Sequence, residues 1–153
     1  MSFSEKIKRI LFFGKSKKRT QTTRFLRKAF ENQGIKVKSI KYRRLEHLWG
    51  KPLTEKYILS TFHRFRPDLV FINTVDITFK VLSQISGKTN IAIYYPDYTD
   101  PFKEEMIERG RLSDYFFITN QGQIPYLKKR GVKNPTFILE GVDDNKHRII
   151  KSK

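Results

Sequence analysis

"RILFFGKSKKRTQTTRFLRKAFENQGIKVKSIKY", residues 9–42, carries the pattern on which the fold turns. It opens on a nearly continuous apolar run closed by Gly14, the form of a strand covered on both faces. A helical stripe follows, with Phe25, Leu26, Ala29 and Phe30 on one side and Gly34 as its stop. "IKVKSIKY" then alternates apolar and polar residues, as a second strand does. Strand, helix and strand in roughly thirty residues make a β-α-β unit, whose two strands run parallel.

The same alternation continues to the end. After a basic, aromatic loop, "LTEKYILSTFHRFRP" sets Ile58, Phe62 and Phe65 at helical spacing and stops at Pro67. "DLVFIN" is the third strand, after which Asp76 is expected to cap a helix carrying Ile77, Val81 and Ile85. "NIAIYY" is the fourth. Asp100 and Pro101 read as the cap and first position of the next helix, with Glu104 and Glu105 in its first turn. "DYFFIT" is the fifth strand, "QGQIPYLKKRG" a short helix with cations at its negative end, and "TFIL" the sixth strand.

Regular alternation predicts an α/β fold: a doubly wound, parallel, six-stranded Rossmann-like sheet with helices on both faces. The expected strand order is 3-2-1-4-5-6. One domain spans residues 1–140, and residues 141–153 form a C-terminal tail. In that order the ligand crevice opens between the carboxyl ends of strands one and four. Residues 14–20 and 96–100 would border it.

Composition supports one folded core. The chain has 153 residues, 38% of them hydrophobic, with 13 Phe, which argues against disorder. It has no Cys, so disulfides and thiolate metal sites are out, and a reducing compartment fits. The first apolar run, Ile10 to Phe13, is too short for a signal peptide or for a span of roughly 20 residues. A cytoplasmic protein without a transmembrane segment is expected. Lys and Arg number 32 against 15 acids, a net charge of +17, and residues 1–50 carry +12 of it. Such a skew points to an anionic partner: an anionic acceptor, an acidic membrane surface or nucleic acid. Solvated basic faces are the plainer alternative. Tyr42, Arg43, Arg44 and Trp49 mix cations with aromatics as single-strand binders do, but no nucleic-acid motif accompanies them.

The chemistry-bearing motifs are sparse. "GKS" at residues 14–16 follows a strand, yet a P-loop needs a glycine where Arg9 stands. The G-x-G-x-x-G fingerprint fails too, so no tightly bound dinucleotide cofactor is expected. What the loop does offer is Lys15, Lys17, Lys18, Arg19 and Arg24 around the start of a helix, where backbone N–H groups favour an anion. Gly14, Lys15, Ser16, Lys17, Lys18, Arg19 and Thr20 therefore form one candidate ligand wall. Asp97 stands opposite, a candidate general base or sugar-hydroxyl ligand. Tyr98 beside it, Asn73 at the end of the third strand and Asn120 after the fifth complete the candidate binding set. His47, His63 and His147 are dispersed, and no metal site is expected. Trp49 is expected to hold a loop hairpin that carries His47.

Several stretches in order resemble the N-terminal half of GT-B glycosyltransferases, the spore-maturation-type proteins above all. They are "RILFFGKS", "NQGIKV", "FRPDLVFIN", "IAIYYPDYTD" and "DYFFITNQGQIPYLKKRGVKNPTFILEGVD". In that family the last pattern closes the first Rossmann-like domain just before the linker to the second, which is where residues 141–153 would fall. The resemblance implies an acceptor-binding domain, with the nucleotide-sugar donor held on a partner domain, a partner chain or a second copy. Asp97 matches the position after strand four where the family carries a polar catalytic or acceptor-contacting residue. Related families often carry a histidine there, whereas here Pro96 precedes Asp97, a departure from the family pattern that bears on the base role. An isolated domain of this kind is expected to be inactive or weak.

Overall fold

A computed structural model of the chain describes residues 7–14, 22–97 and 102–139. Six strands alternate with five helices: β1 (Arg9–Phe13), α1 (Thr22–Asn32), β2 (Lys36–Ile40), α2 (Tyr42–Phe65), β3 (Leu69–Asn73), α3 (Phe79–Ile85), β4 (Asn90–Tyr95), α4 (Glu104–Leu112), β5 (Tyr115–Ile118), α5 (Ile124–Lys129) and β6 (Pro135–Phe137). Every pair is parallel, and the fold is a Rossmann-like α/β sheet.

The strand order is β2-β1-β3-β4-β5-β6, not the expected 3-2-1-4-5-6. The reason is visible in two pentapeptides. β3 reads LVFIN with its first four residues buried, whereas β2 reads KVKSI and leaves Lys36, Lys38 and Ser39 in water. Burying a Leu, Val, Phe or Ile side chain contributes about 1.5–3 kcal/mol, so the apolar strand takes the centre. Lysines suit an edge, where they also deter strand addition. The winding therefore reverses between β1 and β3, and the crevice at the carboxyl ends moves there with it.

Side chains alternate across the sheet with period two. Leu11, Phe13, Val70, Ile72, Ile91, Ile93, Phe116 and Ile118 face the larger core, built with Ile58 and Phe62 of α2, Val81 and Leu82 of α3, Met106 and Ile107 of α4, and Leu127 of α5. Ile10, Phe12, Leu69, Phe71, Ala92 and Tyr94 face the other way, where Leu26 and Phe30 of α1 pack. Phe12 stacks on Phe71 at 5.3 Å, and Phe30 meets both rings edge-on.

Three local expectations are corrected. The expected loop after strand two is helical, because α2 starts at Tyr42 and breaks only at Gly50 (φ 73°, ψ 167°). That φ is open to glycine, and Pro52 just beyond suits the first turn of the second segment. The cap of α3 is Thr78, whose hydroxyl accepts from the Val81 N–H at 3.2 Å. Asp76 instead lies buried and takes the Arg43 guanidinium at 2.8 Å. Helix α4 begins at Glu104 with Lys103 at its N-cap position, later than the expected start at Asp100 and Pro101, which lie outside the described residues. Glu104 and Glu105 do occupy its first turn, and α5 does carry Lys128 and Lys129 in its last.

Candidate functional site

The reversal of winding brings Gly14 and Asn73 together, because β1 and β3 are neighbours and both residues close the carboxyl ends of their strands. The Asn73 carboxamide donates to the Thr23 hydroxyl at 2.9 Å, tying β3 to the first turn of α1. Gly14 lies against this pair. A Cβ there would stand 2.5 Å from Cγ2 of Thr23 and 3.2 Å from Cβ of Asn73, so only glycine lets the helix approach so closely. Oδ1 of Asn73 is buried and has no hydrogen-bond partner among the described residues. A buried acceptor of this kind suits a bound water.

Beside this pair opens a pocket of about 190 Å³, lined by Phe12, Gly14, Thr23, Arg24, Arg27, Ser39 and Lys41. The sequence dictates its walls. Phe12 and Gly14 share one face of β1, and Val37, Ser39 and Lys41 alternate onto the same side of the chain at β2. Helix α1 roofs it with residues 23, 24 and 27, one face of a 3.6-residue period. Three cations from two elements thus surround one polar hollow. Arg27 also meets Glu31 at 3.5 Å, an exposed pair worth little.

Size decides what fits. Pockets for drug-sized ligands run about 300–1,000 Å³. This one takes a phosphate group or a single sugar ring.

The remaining candidates lie apart. Asp97 is exposed, two residues past β4, and β4 stands two strands from β1, about 10 Å across the sheet. Asn120, past β5, is farther off, and its Oδ1 accepts from the Gly122 N–H at 3.1 Å as the cap of a short 3-10 turn. Lys15, Ser16, Lys17, Lys18, Arg19, Thr20 and Tyr98 lie outside the described residues. Among the described residues no group of three His, Asp or Glu side chains is placed to hold a metal ion. Sequence reading had flagged Arg24 but missed Thr23, Arg27, Ser39 and Lys41. The alternation of "VKSIK" placed Ser39 and Lys41 on one side of strand two, but which side faced α1 was not visible.

The fold is shared with HepE of Anabaena, whose crystal structure is a complex with UDP and glucose. The TM-score is 0.50 at 16% identity, over 90% of this chain and 45% of HepE. The likeness is one of fold. No protein-family model matches the sequence, and no curated protein matches it. This chain thus spans less than half the length of the protein whose fold it shares.

No helix among the described residues is long and apolar enough to cross a membrane.

Proposed function

We propose that this chain is the acceptor-binding domain of a GT-B-type glycosyltransferase, completed by a donor-binding domain, chain or second copy. The observation that carries the reading is the pocket: a sugar- or phosphate-sized hollow with Arg24, Arg27 and Lys41 around it. Its setting supports the same reading. The fold matches part of a protein crystallised with UDP and glucose, the two pieces into which a nucleotide sugar divides. The pocket's cations suit an anionic acceptor, and in this reading the donor is held by a partner. We place the reaction in the cytoplasm, in keeping with a sequence that lacks cysteine.

In this scheme the three cations hold a phosphate of the acceptor, while Asn73, behind the pocket wall, fixes Thr23 through its amide. Asp97, across the carboxyl edge, removes the proton of the attacking hydroxyl as general base. The domain alone supplies one wall of the reaction chamber, so it lacks most of the positioning on which transfer depends.

Titration of the isotope-labelled chain with glucose 1-phosphate tests the binding half of this scheme. Amide shifts should concentrate at Gly14, Thr23, Arg24, Lys41 and Asn73. Shifts confined to another face would remove the pocket from the account. With a donor-binding domain supplied, Asp97→Asn should lower turnover about a hundredfold, the usual weight of a general base, without weakening donor binding. Unchanged turnover would remove Asp97 from the chemistry.

A second reading, a stand-alone module that binds an anion without catalysis, draws on the same three cations. It predicts that inorganic phosphate binds as tightly as the sugar phosphate, because the sugar then touches nothing that matters.

A further inference from the structure

Leu48, Trp49 and Leu53 are 60%, 46% and 61% exposed, and they flank the break in α2 at Gly50. The fold explains why they are left outside. Tyr42 is buried and Leu45 packs against the core, so the first segment of α2 spends its inner face there. Thr54, Glu55, Ile58, Thr61 and Phe62 do the same for the second segment. The kink turns the three remaining apolar side chains to solvent at its apex. Trp49 is held there edge-on against Tyr57, with ring centroids 5.4 Å apart.

The charge around the apex has one sign. Arg44, Lys51 and Lys56 are exposed. The nearby acids are occupied elsewhere: Glu46 accepts from the Tyr42 hydroxyl at 2.6 Å, and Glu55 is buried and paired with Lys80 at 3.2 Å. Large apolar side chains ringed by free cations match the boundary of an anionic bilayer. Leucines enter the acyl region, tryptophan sits at headgroup depth, and lysines meet lipid phosphates.

We infer that the α2 kink is a docking site for an anionic membrane surface, with Leu48, Trp49 and Leu53 as the inserted side chains. Nucleic acid would reward the cations but not two exposed leucines. Stable anchoring takes two signals, such as apolar insertion together with a basic patch, and this kink carries both. It also stands near the pocket. Lys41 lines the pocket and immediately precedes α2, and the apex lies about 10 Å farther along the helix at 1.5 Å per residue. Docking there would hold the carboxyl edge of the sheet close to the bilayer.

The chain contains one tryptophan, so its fluorescence reports this site alone. The test mixes the full chain with vesicles of phosphatidylcholine, with or without phosphatidylglycerol, and follows flotation and the emission maximum. Phosphatidylglycerol vesicles should carry the protein upward and shift Trp49 emission to the blue, and high salt should weaken both. A Leu48→Ser/Leu53→Ser double variant should lose at least tenfold in vesicle affinity with an unchanged melting temperature, since both side chains are exposed. Absence of flotation on anionic vesicles would overturn the inference. So would flotation with unshifted Trp49, which means that general charge does the binding. A blue shift that grows with protein concentration in the absence of lipid would also overturn it, by assigning the apex to a second copy.

Discussion

The carboxamide of Asn73 donates to the hydroxyl of Thr23 at 2.9 Å, and the two side chains meet where Gly14 leaves room for them. This contact joins β3 to α1 at the reversal of winding, so the local packing there sets the shape of the pocket.

Gly14→Ala should therefore cost about 1–3 kcal/mol, the usual penalty for overpacking. Urea unfolding measures it. Thr23→Ser removes the Cγ2 methyl that the new Cβ would strike but keeps the hydroxyl that Asn73 uses. The double variant should recover most of the loss. A single variant as stable as the wild type would mean that the helix yields without cost.

The Arg43–Asp76 pair should matter for stability rather than ligand binding. The Asp76 side chain is 3% exposed and the Arg43 side chain 53%. Removing the arginine leaves a buried carboxylate without its partner, but water reaches the half-exposed site, so Arg43→Ala should cost about 1–2 kcal/mol. Adding Asp76→Asn should return part of it. Equal stability of Arg43→Ala and wild type in denaturant would show that water replaces the guanidinium in full.

Tyr42 gives a pH dependence. Burial first, then the hydrogen bond to Glu46, raises its phenol pKa above the ordinary value of 10.0. Unfolding frees the phenol to ionise at that ordinary value while the folded protein keeps its proton. The stability from the neutral phenol is thus complete below about pH 10 and is lost as pH rises through the folded value. Unfolding free energy measured at pH 9 and pH 11 should fall more for wild type than for Tyr42→Phe. Parallel losses would place Tyr42 outside the linkage.

Most of the fold was legible because buried strands and helical stripes have different periods. "NIAIYY" and "DLVFIN" each declared themselves in six letters. The order of strands was not read correctly, although the lysines of "KVKSI" pointed to an edge. The first segment of α2 was missed because Arg43, Arg44, Glu46 and His47 mask the stripe of Tyr42 and Leu45, and Gly50 looks like a stop. At the site, Gly14 and Asn73 were named in advance but their contact was not, since it depends on which strands are neighbours. Thr23 gave no signal at all: its role lies in a hydroxyl that meets a residue fifty positions away.

Arg24→Ala and Lys41→Ala should each weaken glucose 1-phosphate binding about tenfold or more, the worth of one hydrogen bond to a charged group. Arg24 and Lys41 are exposed, so neither change should alter the melting temperature. Unchanged affinity in both variants would mean that the pocket does not hold the phosphate.

In the proposed reading this domain receives the acceptor and not the donor nucleotide. Calorimetric titration of the chain with UDP, inorganic diphosphate, glucose 1-phosphate and inorganic phosphate tests it most directly. Uridine should add nothing, so UDP binds no tighter than diphosphate, while the sugar strengthens binding over phosphate alone. UDP binding tenfold tighter than diphosphate, about 1.4 kcal/mol, would contradict it and make this the donor-binding side.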